Sequence, residues 1–299
     1  MTKQQNFPGP TYQQVAARMP LPAPSFLRRV TEFVPVYDYL AAQIGFASRF
    51  DRAVKRVAMR GGGALSPVQC RFYFRDTLLL MIDPKTVNQR LHDHLFDGER
   101  VRWIGQYFVD GSDWKPITRP LHGSRSHSEI VELSQFGRDF RRGPRYLHYV
   151  DKIKRGDMLK RNRVEIDTIE KLDSYFEYYL ALIKSIETKG IVHHSIFGLF
   201  NHTGRGHRWT RSFWQDLAER PIGVAINADG RLVRHSSGKH RMAAALALGV
   251  NRIPVEIRLV HARWLSRQSE RLTLPPAEAM LATLKQAEVS DWQTIAFHD

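Results

Sequence analysis

The segment of residues 222–256, IGVAINADGRLVRHSSGKHRMAAALALGVNRIPVE, constrains the fold more than any other part of this chain. It reads as a strand, a turn at Asp229-Gly230, a second strand, a Ser-Ser-Gly-Lys-His-Arg loop, a helix of small residues closed by Gly249, and a third strand entered through Ile253-Pro254. Asp and Gly both tolerate positive φ, so the first turn is expected to be a two-residue hairpin. Ser236 and Ser237 are suited to cap the helix that starts near Lys239. Ala243, Ala244, Ala245 and Ala247 let that helix sit close on a sheet, and Gly249 is its expected left-handed stop.

A glycine loop that opens directly into a helix gathers several backbone N–H groups at one point, where the helix dipole adds positive charge. Lys239 and Arg241 add more, and His240 lies between them. We therefore expect an anion site, read as a phosphate site, at Ser237, Gly238, Lys239, His240 and Arg241.

At these residues the chain resembles the ParB/sulfiredoxin-like superfamily, and the likeness extends over roughly residues 160–262. Val164-Glu165-Ile166-Asp167-Thr168-Ile169 is similar to that family's opening strand and capped first helix. LIKSIETKG (182–190) resembles its "SI…G" helix end, and Pro221-Ile222-Gly223-Val224 its strand entered through Pro-Ile. GKHRMAAALALG with Ile253-Pro254-Val255 resembles its G-x-x-R…A…G…IPV block. The resemblance implies a small α/β domain binding a nucleotide (ATP, ADP or CTP), with its phosphates on the glycine-helix turn. Magnesium would accompany the nucleotide, and Asp229 and Glu187 are the local carboxylates for it.

The departures bear on the chemistry. Lys239 stands where sulfiredoxins carry a reactive cysteine and where the ParB branch carries a glutamate that supports hydrolysis. Cys70, the one cysteine, lies far outside the matching block, so redox chemistry at sulfur is not expected. An insertion of about thirty residues, 191–220, separates Gly190 from Pro221. Its His193, His194, His202 and His207 lack ligand spacing and interposed acids, so no metal site is expected there. Thr203-Gly204-Arg205-Gly206-His207-Arg208 reads instead as a structural loop, or as a lid bringing Arg205, His207 or Arg208 to bound phosphate.

Upstream, residues 1–24 read as an extended leader and 25–150 as a helical and β-containing region of unassigned role. Within it, Phe26–Ile44 and Phe46–Met59 have helical spacing, and RFYFR (71–75) and VRWIGQYFV (101–109) read as strands. Gly61-Gly62-Gly63 lacks a following Lys-Ser/Thr and reads as a flexible connector. The boundary is placed near Gly143-Pro144 or the basic stretch beyond it. Asp167 is expected to start a helix whose inner stripe is Ile169, Leu172, Phe176, Leu180, Ile183 and Ile186. Residues 263–299 form a C-terminal helical tail in which Ser266–Leu274 is too short and polar for a helix-turn-helix, and Trp292 and Phe297 are its anchors. The fold class is thus α/β or α+β: a ParB/sulfiredoxin-like domain preceded by a basic region.

Net charge is +15 over 299 residues, with part of the excess at Arg138, Arg141, Arg142, Arg145, Lys152, Lys154, Arg155, Lys160, Arg161 and Arg163. Tyr146, His148 and Tyr149 are interleaved, an arrangement suited to nucleic acid or another polyanion through 138–163. A solvated basic surface accounts for the stretch equally well. No run approaches the roughly 20 apolar residues of a membrane helix, and MTKQQNFPGP lacks a signal pattern, which points to the cytoplasm. Two function classes follow: a nucleotide-dependent phosphotransferase or nucleotidase, and a non-catalytic nucleic-acid-binding or nucleotide-switched protein. A protein that processes an anionic polysaccharide or lipid headgroup is a third. No residue presents itself as a general base.

Overall fold

The computed structural model describes residues 34–92, 94–97, 100–161, 164–191, 222–235, 238–289 and 292. The described elements are α1 (Val34–Gln43), α2 (Phe46–Arg60), β1 (Gly63–Ala64), α3 (Pro67–Phe74), β2 (Leu79–Ile82), β3 (Gln89–Leu91), β4 (His94–Asp97), β5 (Arg100–Trp103), β6 (Val109–Asp110) and β7 (Thr118–Pro120). There follow α4 (Arg125–Phe136), α5 (Pro144–Lys154), β8 (Leu159–Arg161), β9 (Val164–Ile166) and α6 (Ile169–Lys189). The chain closes with β10 (Ile222–Ile226), β11 (Leu232–Arg234), α7 (Lys239–Ala247), β12 (Ile253–His261), α8 (Ala262–Leu272) and α9 (Pro276–Val289).

The architecture is mixed α/β, built on an eight-stranded sheet of order β1-β6-β12-β10-β11-β3-β7 with β2 also on β12. β10, with all five residues buried, pairs parallel with β12 and antiparallel with β11. The far edge of β12 is shared. Its first half, Ile253 to Glu256, takes β2 antiparallel, and its last two residues, Val260 and His261, take β6 parallel. Arg258 is the extra residue where the β10–β12 register slips between Val224 and Ala225. Strands from residues 63–120 and from 222–261 thus share one sheet, and residues 63–120 contribute five of its eight strands.

α2, α3, α8 and α9 cover one core, in which Phe50, Phe74, Val224, Ile257, Trp264 and Met280 meet. α4, α5 and α6 build a second core around Ile130, Tyr149, Tyr175 and Phe176. α7 belongs to both: Met242 and Ala245 face the first, Ala243 and Ala244 the second. That double burial accounts for its run of alanines, since methyl-sized side chains allow close approach on two sides.

Several sequence expectations are corrected. RFYFR is not a strand: Ser66 Oγ accepts from Val68 N–H, Pro67 opens α3, and Cys70 and Phe74, one turn apart, are buried. VRWIGQYFV is broken by a 3-10 turn at Ile104–Gln106. Gly61-Gly62-Gly63 is a built corner. Gly61 and Gly62 have φ of +72° and +80°, and a Cβ on Gly63 would meet the Tyr107 ring at 2.3 Å. The hairpin after β10 has a five-residue loop, not two. Asn227 Oδ1 accepts from Asp229 N–H and Arg231 N–H at 3.0 and 2.8 Å, leaving Gly230 at φ +85°. Thr168, rather than Asp167, caps α6, and Ile169 is exposed at 37% instead of joining the inner stripe. Residues 262–272 form a helix because burial of Trp264, Leu265 and Gln268 settles an otherwise polar stretch. Trp292 is buried as expected and its Nε1–H donates to Gly230 O, whereas Phe297 lies outside the described residues.

Candidate phosphate site

Local chemistry sets the N-terminus of α7. Gly238 caps it with φ +75°, and a Cβ there would stand 2.8 Å from Ile222 Cα, so both conformation and space demand glycine. Met242 N–H makes the first intrahelical bond, to Gly238 O at 2.8 Å, and the first-turn N–H groups point out of the helix end beside the start of β10. The turn therefore brings Gly238, Lys239, His240 and Arg241 to one place, with Lys239 exposed and the other three partly so. Ser236, Ser237, Arg205, His207 and Arg208, like His193, His194 and His202, lie outside the described residues.

His240 differs from expectation. Its ring packs on Tyr179 at 4.3 Å between centroids. Burial, reinforced by Lys239 and Arg234, lowers its pKa to about 3, so at neutral pH it is uncharged. The charge at this turn comes from Lys239, Arg241 and Arg234, a residue that sequence reasoning passed over. Arg234 ends β11 and is 7% exposed. It lies in register with Arg90 across the parallel β11–β3 pair, and Arg90 with Arg119 across β3–β7.

His235, next in the chain, is buried, with its pKa lowered to about 3 by burial, then by Arg258 and Arg234. Beyond it Glu256, 1% exposed, is held between two guanidiniums. Oε1 accepts from Arg71 Nε–H at 2.6 Å and Oε2 from Arg258 Nε–H at 3.0 Å. This triad is a buried ion network that fixes α3 to β12. Its signal in the sequence is two charges, Glu256 and Arg258, inside the apolar run IPVEIRLVH, and likewise Arg234-His235 after LV.

The carboxylates expected to help with magnesium are elsewhere. Asp229 lies in the loop after Ile226, at the opposite end of β10 from Ile222, against which Gly238 packs. Glu187 is exposed two turns beyond Tyr179, about 12 Å along α6. Among the described residues no group of three or more His, Cys, Asp and Glu is placed to hold a metal ion. Neither carboxylate lies at this turn to hold magnesium there.

The 138–163 stretch also changes meaning. Tyr146 and Tyr149 are buried, donating to Asp173 Oδ1 at 2.6 Å and Glu129 Oε2 at 3.2 Å, and burial with the Asp173 bond pushes Tyr146 up to about 12. One helical face of α5 turns both rings onto Phe176, where they are core and not stacking platforms. Arg141 is tied to Asp173 at 3.0 Å and Arg155 to Asp157 at 3.5 Å. Cys70 is fully buried and burial pushes its thiol well up, away from nucleophilic use. Among the described residues no helix is long and apolar enough to cross a membrane. No family model matches the chain, and neither curated proteins nor solved structures yield a match.

Proposed function

We propose that this chain is a ParB/sulfiredoxin-like protein that binds a nucleotide, ATP, ADP or CTP, with its phosphates on the N-terminal turn of α7. The observation that carries the reading is the positive charge gathered at a glycine-capped helix start: Lys239 and Arg241 on the turn, and Arg234, 7% exposed, close enough to help hold His240 neutral. Cations in a partly desolvated place attract an anion more strongly than they would in water, and the helix end favours the same sign of ligand. Arg241 is suited to a bidentate phosphate contact and exposed Lys239 to a point-charge contact. Any magnesium would rest on phosphate oxygens.

The reaction class that suits such a site is nucleotide-dependent phosphotransfer or nucleotide hydrolysis, where positioning and charge do most of the work. The competing class is a non-catalytic, nucleotide-switched protein. A phosphate-release assay with each nucleotide separates the two. Calorimetric titration with ATP, ADP and CTP tests the site itself. Arg241→Ala should weaken binding several-fold or more, and Arg141→Ala, on the salt bridge to Asp173, should leave it unchanged. Equal small effects from both would mean that diffuse charge does the binding.

A further inference from the structure

α2 and α8 each carry an arginine series with a four-residue repeat: Arg52, Arg56 and Arg60 on one, Arg263, Arg267 and Arg271 on the other. At 1.5 Å rise per residue, each series sets a guanidinium about every 6 Å along its helix. All six are exposed, as is Lys55 between them. The helices are neighbours and run in opposite directions. At one end Asp51 Oδ1 of α2 accepts from Ala277 N–H, just past the end of α8, at 2.8 Å. At the other, Val57 packs on Gly111, while His261, which caps α8, meets Ser112 O at 3.1 Å.

The helices that carry the series are fixed by packing. Phe50, Val54, Val57, Trp264 and Leu265 lock both helices into one core. Arg52 Nε–H donates to Ser48 O and Arg271 to Gln268 Oε1, both within their own helices, and Arg267 donates to Ala228 O. Among the described residues no carboxylate forms an ion pair with any of the six, and Glu270 and Glu278 are the exposed acids on α8 and the start of α9.

We propose that the exposed arginine series of α2 and α8 bind the sugar-phosphate backbone of double-stranded nucleic acid, without reading base sequence. Two regular rows of cations on packed helices match a polymer that carries one negative charge per about 1.7 Å of axis. A lipid surface would need apolar side chains turned outward, and both helices turn theirs inward, leaving Met59 the one exposed large apolar residue on the pair. A single strand would want exposed aromatics for its bases, and Phe46, Phe50 and Trp264 are all buried. This surface is independent of the α7 turn.

The test is fluorescence anisotropy of the full chain on a labelled mixed-sequence DNA duplex, in a salt series. Arg56→Gln/Arg60→Gln/Arg263→Gln should weaken binding at least tenfold. The slope of log K against log salt should fall by about 2–3, since each lost phosphate contact contributes roughly 0.9. The same three positions changed to Lys keep the charge and should retain binding within a few-fold, which also controls for folding. A charge-matched variant on α5 and the turn before it, Arg138→Gln/Arg142→Gln/Lys154→Gln, should bind like the parent. Equal loss in both Gln variants, loss only in the α5 variant, tighter binding of the single strand, or binding only to anionic phosphatidylserine vesicles would each overturn the proposal.

Discussion

Replacing Gly238 with alanine tests the geometry of the α7 turn directly, because Gly249 at the other end of the helix supplies an internal control. Both glycines have positive φ, +75° and +66°. An alanine at either therefore takes the left-handed penalty of about 1–2 kcal/mol. They differ in space. Around Gly249 nothing lies within 4 Å of where an alanine methyl would stand, whereas at Gly238 that methyl would fall 2.8 Å from Ile222 Cα and 2.8 Å from its Cγ1. One of those atoms is backbone of the central strand and cannot swing away, so overpacking adds about 1–3 kcal/mol. Gly238→Ala should thus cost about 2–5 kcal/mol and Gly249→Ala about 1–2 kcal/mol. In melts this separates the two by several degrees, at roughly 2–4 °C per kcal/mol. Urea titration with a common m-value is the assay. If the two variants agree within about 0.5 kcal/mol, crowding against β10 is not what holds the turn in place.

Removing the carboxylate of the buried triad by Glu256→Gln leaves Arg71 and Arg258 without their counter-charge. It should cost about 3–5 kcal/mol, whereas the joint change of Arg71, Glu256 and Arg258 to apolar residues should recover most of that in urea melts; equal losses would show that charge burial is not the cause. His235 and His240 have pKa values lowered to about 3 in the fold against 6.5 in the unfolded chain. Their contribution is therefore complete above pH 6.5 and is lost as pH falls from there toward 3, so His235→Asn/His240→Asn should flatten the acid limb of urea midpoints measured between pH 7 and pH 4. Cys70, fully buried with a raised pKa, should react with iodoacetamide only as the protein unfolds. Labelling of the native protein at the rate of a free thiol would contradict its place in α3.

What the sequence determined by itself is local. The glycine-to-helix turn, the alanine-rich α7 with its stop at Gly249, the apolar β10 and the stripe of α6 around Leu172, Phe176 and Ile183 are all marked by residue type and short-range spacing. Their φ requirements and spacing are legible without neighbours. The tertiary structure alone decided what surrounds that turn. Arg234 lies in register with Arg90 and His240 packs on Tyr179, while Glu256 joins Arg71 from 185 positions away. Burial likewise made α3 from a segment of strand-forming aromatics and turned Tyr146 and Tyr149 from an expected stacking surface into core. A residue's charge state and exposure depend on the dielectric and partners that packing brings to it. Those partners come from distant chain, so a charge inside an apolar run, as at Glu256 and Arg258, marks burial without naming what it meets.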